Sequence, residues 1–288
     1  MCGCSVERLV VNRAGDALAR SGQVYASDED VELVAAATPF GLKLIESLLA
    51  QSPRHPGLLL AAARGFTQYA YAFVEIPADQ IEPTSISAAY AGRERARKLY
   101  LRARDYGLRG LAVAHSGFAQ QLSGAPDMAI AALRREDVPL MYWTSAAWAA
   151  AISLSKDDAL ALADLPKVQR LADRALELDE AFEVGSIHVL QISLAMSRAS
   201  PIAEQIASAH RHLDRAIDLS KGRLAAPYVA YAEGICVPAN QRSEFEHVIE
   251  QATSIDPGQA PAWRLSNEVF QRRARWLRSR TDELFSGN

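Results

Sequence analysis

Aromatic residues at helical spacing are the side chains in this sequence best suited to form a binding site. Tyr69 and Phe73 are four residues apart, so they share one face of a helix. Tyr142, Trp143 and Trp148 lie close together in a second apolar segment. Such rings either pack in the protein core or line a channel or concave surface that binds apolar or amphipathic ligands. The sequence leaves both interpretations open.

Side chains suited to catalysis or metal binding are sparse. The sequence contains no G-x-G-x-x-G, G-x-x-x-x-G-K-[ST], H-E-x-x-H or G-x-S-x-G motif. His210 and His212 are two residues apart on a predicted helix, so their side chains diverge and we expect both to be exposed and unpaired. His188 is a lone helical position, and Asp157-Asp158 predicts a helix N-cap rather than an acid pair. We therefore expect a non-catalytic protein without a cofactor or a metal.

Two stretches are rich in arginine. A solvated helix face is the simplest interpretation of both, and an acidic partner protein or anionic head groups are the alternatives. The net charge of -3 and the lack of a recognised binding motif argue against nucleic acid as a partner. The first stretch contains Arg93, Arg95, Arg97, Lys98, Arg102, Arg104 and Arg109, and the second contains Arg264, Arg272, Arg273, Arg275, Arg278 and Arg280.

The three cysteines do not form a disulfide framework or a zinc motif. Cys2 and Cys4 have C-x-C spacing, and no second pair exists. Cys236 lies in an apolar run, which predicts a buried side chain. Gly3-Cys4-Ser5 is similar to the end of a bacterial lipoprotein signal, although no charged and apolar segments precede it here. No apolar run is expected to reach the roughly 18–20 residues needed to span a bilayer.

The segments around these residues all have helical patterns. Hydrophobic residues make up 49% of the chain but aromatic residues only 7%, which suits helices packed closely on alanine and leucine. Because no alternating strand pattern occurs, we predict an all-α fold. Gly107 and Gly110 are expected to end or bend a long helix, and Pro39 could interrupt the first one. Helices are predicted at about 28–51, 58–75, 85–106, 108–122, 138–155 and 260–284.

One short stretch recurs and predicts helix ends. Arg174–Phe182 has the pattern of a helix end, a tight turn and a new helix. Related stretches occur at 215–221 and 251–257, with a weaker one at 48–53. The equivalent alanines of the first three are 41 and 36 residues apart, more than the period of about 34 residues in tetratricopeptide repeats.

These irregular repeats predict the domain organisation. Each hairpin must stack on a neighbour to bury its apolar face, and stacking produces a solenoid with a concave surface. We therefore predict an α-α superhelix of degenerate tetratricopeptide-like hairpins. A lead-in at 1–24 with a lipidation site is expected to precede a single repeat domain at 25–288.

Several long segments resemble one protein family. The segments are GFTQYAYAFV at 65–74, RARKLYLRARDYGL at 95–108, YWTSAAW at 142–148, SLSKD at 153–157 and GRLAAPYV at 222–229. They are similar to signature blocks of the TRAP-transporter-associated T-component (TatT) family, and the similarity extends over nearly the whole chain.

The resemblance implies a place in a transport system. Members of this family are all-α, tetratricopeptide-like periplasmic lipoproteins that partner the solute-binding (P) component of a tripartite ATP-independent periplasmic transporter. They are thought to be non-catalytic and trimeric, with a pore or groove that passes a hydrophobic ligand. The resemblance favours Cys4 as the lipid anchor and the sole link to the membrane.

The expected function follows from the resemblance and the aromatic residues together. We expect a periplasmic, lipid-anchored accessory component that docks a solute-binding protein. A small hydrophobic solute would pass along Tyr69, Phe73, Tyr142, Trp143 and Trp148. The alternative is a cytoplasmic tetratricopeptide-type adaptor that binds a peptide or an acidic protein in its concave groove.

Overall fold

Helices form the described part of the protein. A computed structural model describes Arg13, residues 15–18 and residues 22–286, and no residue in these ranges belongs to a β-strand. The predicted all-α class is confirmed. Cys4, the predicted lipidation site, and most of the predicted lead-in lie outside the described residues. The helices are arranged in two compact units.

The first unit comprises residues up to Tyr25 and Glu32–Leu178. In chain order its helices are α1 Gly22–Ala26, α2 Val31–Gln51, α3 Pro56–Ala70, α4 Ile76–Ile81, α5 Ile86–Ala114, α6 Phe118–Gly124, α7 Pro126–Ala131, α8 Val138–Ser153, α9 Ala159–Leu162 and α10 Leu165–Leu178. Within this unit α3, α5 and α8 pack against one another, and α10 packs on α8. Fully buried alanines of α3, α5 and α8 allow these close contacts.

The second unit comprises Ala26–Val31 and Asp179–Asn288. Its core includes Tyr231, Phe245 and Cys236, so the predicted burial of this cysteine is confirmed. The C-terminal segment is not the single helix that the sequence predicted, because it breaks at Arg280. The helices are α11 Ser186–Ala195, α12 Ile202–Ser220, α13 Ala226–Tyr231, α14 Arg242–Ser254, α15 Arg264–Ser279 and α16 Thr281–Phe285.

The four predicted repeat turns coincide with helix ends. α2 ends at Gln51, α10 at Leu178, α12 at Ser220 and α14 at Ser254. Asp158 also has its predicted role, since its carboxylate accepts hydrogen bonds from the first backbone N–H groups of α9. These local predictions are confirmed, whereas the tetratricopeptide-like superhelix stays a prediction.

Two π-helices interrupt the regular pattern. Tyr71–Glu75 continues α3 in the first unit, and Ala232–Cys236 continues α13 in the second. The helix predicted at 58–75 is therefore present, but its last turn is wider than an α-helical turn. Such turns occur mostly as local insertions and are frequent at functional sites.

α2 differs from the prediction in two ways. Pro39 lies inside the helix without interrupting it. Within the described residues α2 is also long and apolar enough to cross a membrane by length and composition, which the sequence analysis did not predict. One face of α2 packs into the core through Leu42, Ile45 and Leu49.

The two glycines of α5 do not end this helix, so that prediction is wrong. α5 runs through Gly107 and Gly110, and α8 passes very close to both positions. A Cβ atom at Gly107 would lie 2.0 Å from Oγ1 of Thr144, and one at Gly110 would lie 2.6 Å from Leu140. Glycine is needed here for the close approach of two helices rather than for a turn.

Candidate functional site

Three arginines of α5 lie over aromatic rings of the first unit. We call this set the arginine–aromatic ladder, and its members are Arg95 over Tyr69, Arg102 over Phe66, and Arg109 over Tyr106. The guanidinium carbons lie 5.8, 5.1 and 5.2 Å from the respective ring centroids. Contacts of this kind contribute about 0.5–1 kcal/mol each at exposed sites. All three arginines are exposed, so the ladder faces solvent.

The sequence places the ladder on one side of α5. Its arginines are seven residues apart, close to two helical turns, and therefore share a face. On that side the rings of Phe66 and Tyr106 stack with centroids 5.9 Å apart and planes 13° apart. α3 and α5 thus supply a row of exposed guanidinium groups over two half-buried tyrosine rings and the buried ring of Phe66.

Glu46 of α2 fixes the centre of the ladder. Its Oε1 lies 2.6 Å from Nε of Arg102 and accepts a hydrogen bond of 2.7 Å from the Tyr106 hydroxyl. Lys43 donates to the other carboxylate oxygen at 2.7 Å. Burial acts to raise the pKa of Glu46, but the hydrogen bonds from Lys43 and Tyr106 and the charge of Arg102 lower it overall. The carboxylate therefore stays ionised and holds Arg102 and Tyr106 in place.

The five predicted site residues fall into two groups by burial. Tyr69 and Phe73 are half-buried and contact each other, with ring centroids 5.8 Å apart. Tyr142 is also half-buried and meets Trp143 edge-on at 4.9 Å. Trp143 and Trp148 are only 7% and 6% exposed. Burial favours a packing role for the two tryptophans, and partial exposure leaves the other three rings available to a ligand.

Arginines also cover both tryptophans. Arg64 lies 5.7 Å from the ring centroid of Trp143, and Arg104 lies 5.5 Å from that of Trp148. The sequence analysis interpreted the α5 arginines as a solvated face or a basic patch, and it missed their pairing with rings. The available signal was the seven-residue spacing of Arg95, Arg102 and Arg109.

Other cations of the first arginine-rich stretch are paired with carboxylates. Arg93 lies 2.8 Å from Asp79 and 2.7 Å from Glu82. Arg97 lies 2.7 Å from Glu94, and the hydrogen bond from Arg97 lowers the pKa of this carboxyl to about 2. Much of the stretch is therefore neutralised locally and does not act as an open basic patch.

The π-helix Tyr71–Glu75 is tied to α5 next to the ladder. The hydroxyl of Tyr100 donates a hydrogen bond to the Glu75 carboxylate. Tyr100 is fully buried, and this burial, together with the charge of Glu75, raises its pKa well above the usual value. The bond anchors the segment that carries Phe73.

Two histidines of the second unit form a pair that the sequence analysis missed. His212 was expected to be exposed and unpaired, and that prediction is wrong. Nδ1 of His212, on α12, lies 2.8 Å from Nδ1 of His188, on α11, and His188 is only 5% exposed. The pair escaped notice because its members are on different helices. Nε2 of His188 lies 3.6 Å from Glu180, which Arg215 contacts at 2.5 Å.

The histidine pair predicts an acid-sensitive second unit. Burial lowers the pKa of His188, and Arg215 acts in the same direction while Glu180 opposes it. Because the folded-state pKa lies below the unfolded value of about 6.5, the stability that neutral His188 contributes is complete above that pH and is lost as the pH falls below it. Doubly protonated rings would also present two donors at the Nδ1 contact. We expect His188→Gln to reduce the fall in melting temperature between about pH 7 and about pH 5.

Differential scanning calorimetry of both proteins across that range checks this expectation. His247→Gln, at an exposed position of α14, is the matched control and should melt like the wild type at every pH. An identical acid response in wild type and His188→Gln would show that the pair is not the acid-sensitive element.

The fold and the ladder together define an all-helical protein whose exposed features suit recognition of a partner. Comparison with known families gives the specific assignment: the chain belongs to the TRAP transporter T-component family, which matches residues 27–285. The chain is also 27% identical to an uncharacterized protein of Treponema pallidum (strain Nichols), over 98% of this chain and 93% of that protein. The family consists of accessory transporter components rather than known enzymes, and it places the protein at the cell envelope. That location argues against the cytoplasmic adaptor.

Proposed function

We propose that the protein docks the periplasmic solute-binding (P) component of its transporter through the arginine–aromatic ladder. The observation that carries this proposal is the exposed row of Arg95, Arg102 and Arg109 over aromatic rings. Arginine and tyrosine are among the residues that most often dominate binding energy at interfaces. Glu46 holds the central contacts in place before binding, which reduces the entropy that docking would cost.

The half-buried rings beside the ladder are proposed to line a passage for a small hydrophobic or amphipathic solute. Tyr69, Phe73 and Tyr142 would contact the solute, with Trp143 and Trp148 behind them. Two buried hydroxyls of the same helix support this idea. Oγ1 of Thr144 and Oγ of Ser145 have no hydrogen-bond partner in the described part of the chain. Such groups cost about 1–3 kcal/mol when unpaired. A water molecule or a polar end of the solute would satisfy Ser145, whereas Oγ1 of Thr144 is packed against Gly107 of α5.

The wider organisation belongs to the same proposal. The described hairpins would stack as one tetratricopeptide-like repeat domain over 25–288, and three copies would assemble into a homotrimer. Lipidation of Cys4 would attach the protein to the envelope on the periplasmic side. The proposed function does not involve binding of nucleic acid.

Docking is tested by measuring binding of the solute-binding protein from the same organism. In Arg95→Gln/Arg109→Gln both substituted arginines are exposed and contact rings, so the loss should act on the interface rather than on folding. We expect affinity to fall at least about tenfold, as for loss of interface hot spots. Biolayer interferometry at moderate salt gives the dissociation constants.

Arg170→Gln provides the control for this measurement. Arg170 is about as exposed but forms a surface ion pair with Asp127 at 3.0 Å, away from aromatic rings. The Arg170→Gln protein should bind the solute-binding protein with the affinity of the wild type. Docking through the ladder is ruled out if the double variant binds the solute-binding protein as tightly as the control does. Docking of any kind is ruled out if the wild type does not bind that protein.

A further inference from the structure

A cavity of the second unit, widely open to solvent, is not part of the ladder and has no role in the proposed docking. It has a volume of about 660 Å³ and lies where α12, the end of α13 and the start of α14 meet. A volume of this size accommodates a small molecule. Its lining consists of Ile206, His210, Tyr231, Asn240, Gln241, Arg242, Ser243 and Glu244.

The first turn of α14 opens into this cavity. α14 is 13 residues long, and its N-cap residue, Gln241, makes no side-chain capping hydrogen bond. The backbone N–H groups of Arg242, Ser243 and Glu244 therefore lack the acceptor that a cap provides. Together with the helix dipole they give this wall of the cavity a partial positive charge.

Tyr231 supplies an independent sign of a ligand. The residue is only 2% exposed, yet it lines the cavity, and its hydroxyl has no hydrogen-bond partner among residues 22–286. The ring is buried, whereas the hydroxyl itself reaches the open side of the cavity. The ring is held edge-on to His210 at 5.9 Å, and Nδ1 of His210 contacts Asp214 at 3.1 Å. The hydroxyl is therefore fixed in position and free to bond a molecule in the cavity.

Glu244, the third residue of α14, gives the cavity a negative charge beside the helix terminus. It is half-buried, and its carboxylate has no ion-pair partner in the described part of the protein. The neighbouring guanidinium of Arg242 does not neutralise it, because it bonds Glu246 at 2.9 Å and Asp282 at 2.7 Å. Burial, assisted by the charges of Cys236 and Glu244, raises the pKa of Tyr231 to about 12, so the hydroxyl remains protonated.

We propose that this cavity binds a small zwitterion of the amino-acid type. The carboxylate of the ligand would accept hydrogen bonds from the first turn of α14 and from Tyr231, and its ammonium group would pair with Glu244. The apolar side chain would rest on Ile206 and the ring of His210. Glu244 repels a plain carboxylate and the helix terminus repels a plain amine, so only a ligand that carries both charges close together satisfies both groups of this turn.

Calorimetric titration with three probes of similar shape tests the proposal on the full chain. The probes are L-leucine, 4-methylpentanoate, which lacks the ammonium group, and isoamylamine, which lacks the carboxylate. We expect L-leucine to bind with a dissociation constant of about 1 mM or lower, and the other two to bind at least about tenfold more weakly. Comparable binding of all three probes, or no binding of L-leucine, would overturn the proposal.

Two substitutions locate the site. Tyr231→Phe should weaken L-leucine binding about tenfold by removing one hydrogen bond to a charged group, and Glu244→Gln should abolish the preference for L-leucine over 4-methylpentanoate. Tyr228→Phe and Glu250→Gln alter neighbouring residues that do not line the cavity, and both should bind as the wild type does. Thermal melts identify any variant that fails to fold. Unchanged binding by folded Tyr231→Phe and Glu244→Gln would place the ligand elsewhere.

Discussion

Replacing Trp148 by alanine is expected to lower the free energy of unfolding by about 3–5 kcal/mol. Trp148 is only 6% exposed, so alanine would leave a cavity in the packed surface of α8. Arg104, whose guanidinium lies 5.5 Å from the ring centroid, would also lose its aromatic contact. Urea unfolding followed by circular dichroism measures the change.

Two further variants test whether the burial of Trp148 accounts for the expected loss of stability. Trp148→Phe keeps an aromatic ring and should recover part of the lost stability. Tyr90→Ala removes an aromatic side chain that is 74% exposed on α5, and it should change stability by no more than about 0.5 kcal/mol. If Trp148→Ala unfolds at the same urea concentration as Tyr90→Ala, the tryptophan does not support the core. Its predicted role in lining a passage would then be the stronger interpretation.

Features encoded within one helix were predictable from the sequence. The ends of α2, α10, α12 and α14 follow from short apolar and polar patterns at helix termini, which act locally. Asp158 as the cap of α9 is another such case. Features that depend on two elements were not predictable, because helical spacing says nothing about which helix lies opposite. His188 and His212 are 24 residues apart and meet only through the packing of α11 on α12.

The ladder lies between these two cases. The seven-residue spacing of Arg95, Arg102 and Arg109 is visible in the sequence and indicates a common face. Its meaning depends on α3, which supplies Phe66 and Tyr69, and on α2, which supplies Glu46. The charged stripe considered alone correctly predicted solvent exposure, but it did not predict the contacts with aromatic rings.

The two π-helices add a similarity between the units that repeat spacing alone did not show. Each begins within an Ala-Tyr-Ala sequence, at 70–72 and at 230–232. Each also carries a glutamate bonded to a later helix. Glu75 accepts a hydrogen bond from Tyr100, and Glu233 accepts one of 2.6 Å from Arg273. A shared sequence, a shared backbone irregularity and a shared type of anchor support the proposal that the hairpins are degenerate copies of one unit.

Gly107→Ala is expected to destabilise the protein by about 1–3 kcal/mol, as overpacking does in other cores. Alanine favours an α-helix over glycine by up to about 1 kcal/mol, so helix propensity alone predicts the opposite sign. The close approach of α8 decides the outcome, because the new Cβ atom would lie 2.0 Å from Oγ1 of Thr144 and 3.3 Å from the backbone of the same residue. Removing Oγ1 in Gly107→Ala/Thr144→Ala should restore part of the stability, although the contacts of 3.0 Å with Cβ and 3.3 Å with Cα of residue 144 remain.

Gly124→Ala separates these two effects in the same urea unfolding experiment. Gly124 ends α6, and a Cβ atom there would meet nothing within 4 Å. This variant should be as stable as the wild type or slightly more stable. A Gly107→Ala protein that matched Gly124→Ala would mean that α5 and α8 separate at no cost. The close contact between α5, which carries the ladder arginines, and α8, which carries both tryptophans, would then not explain the glycine at position 107.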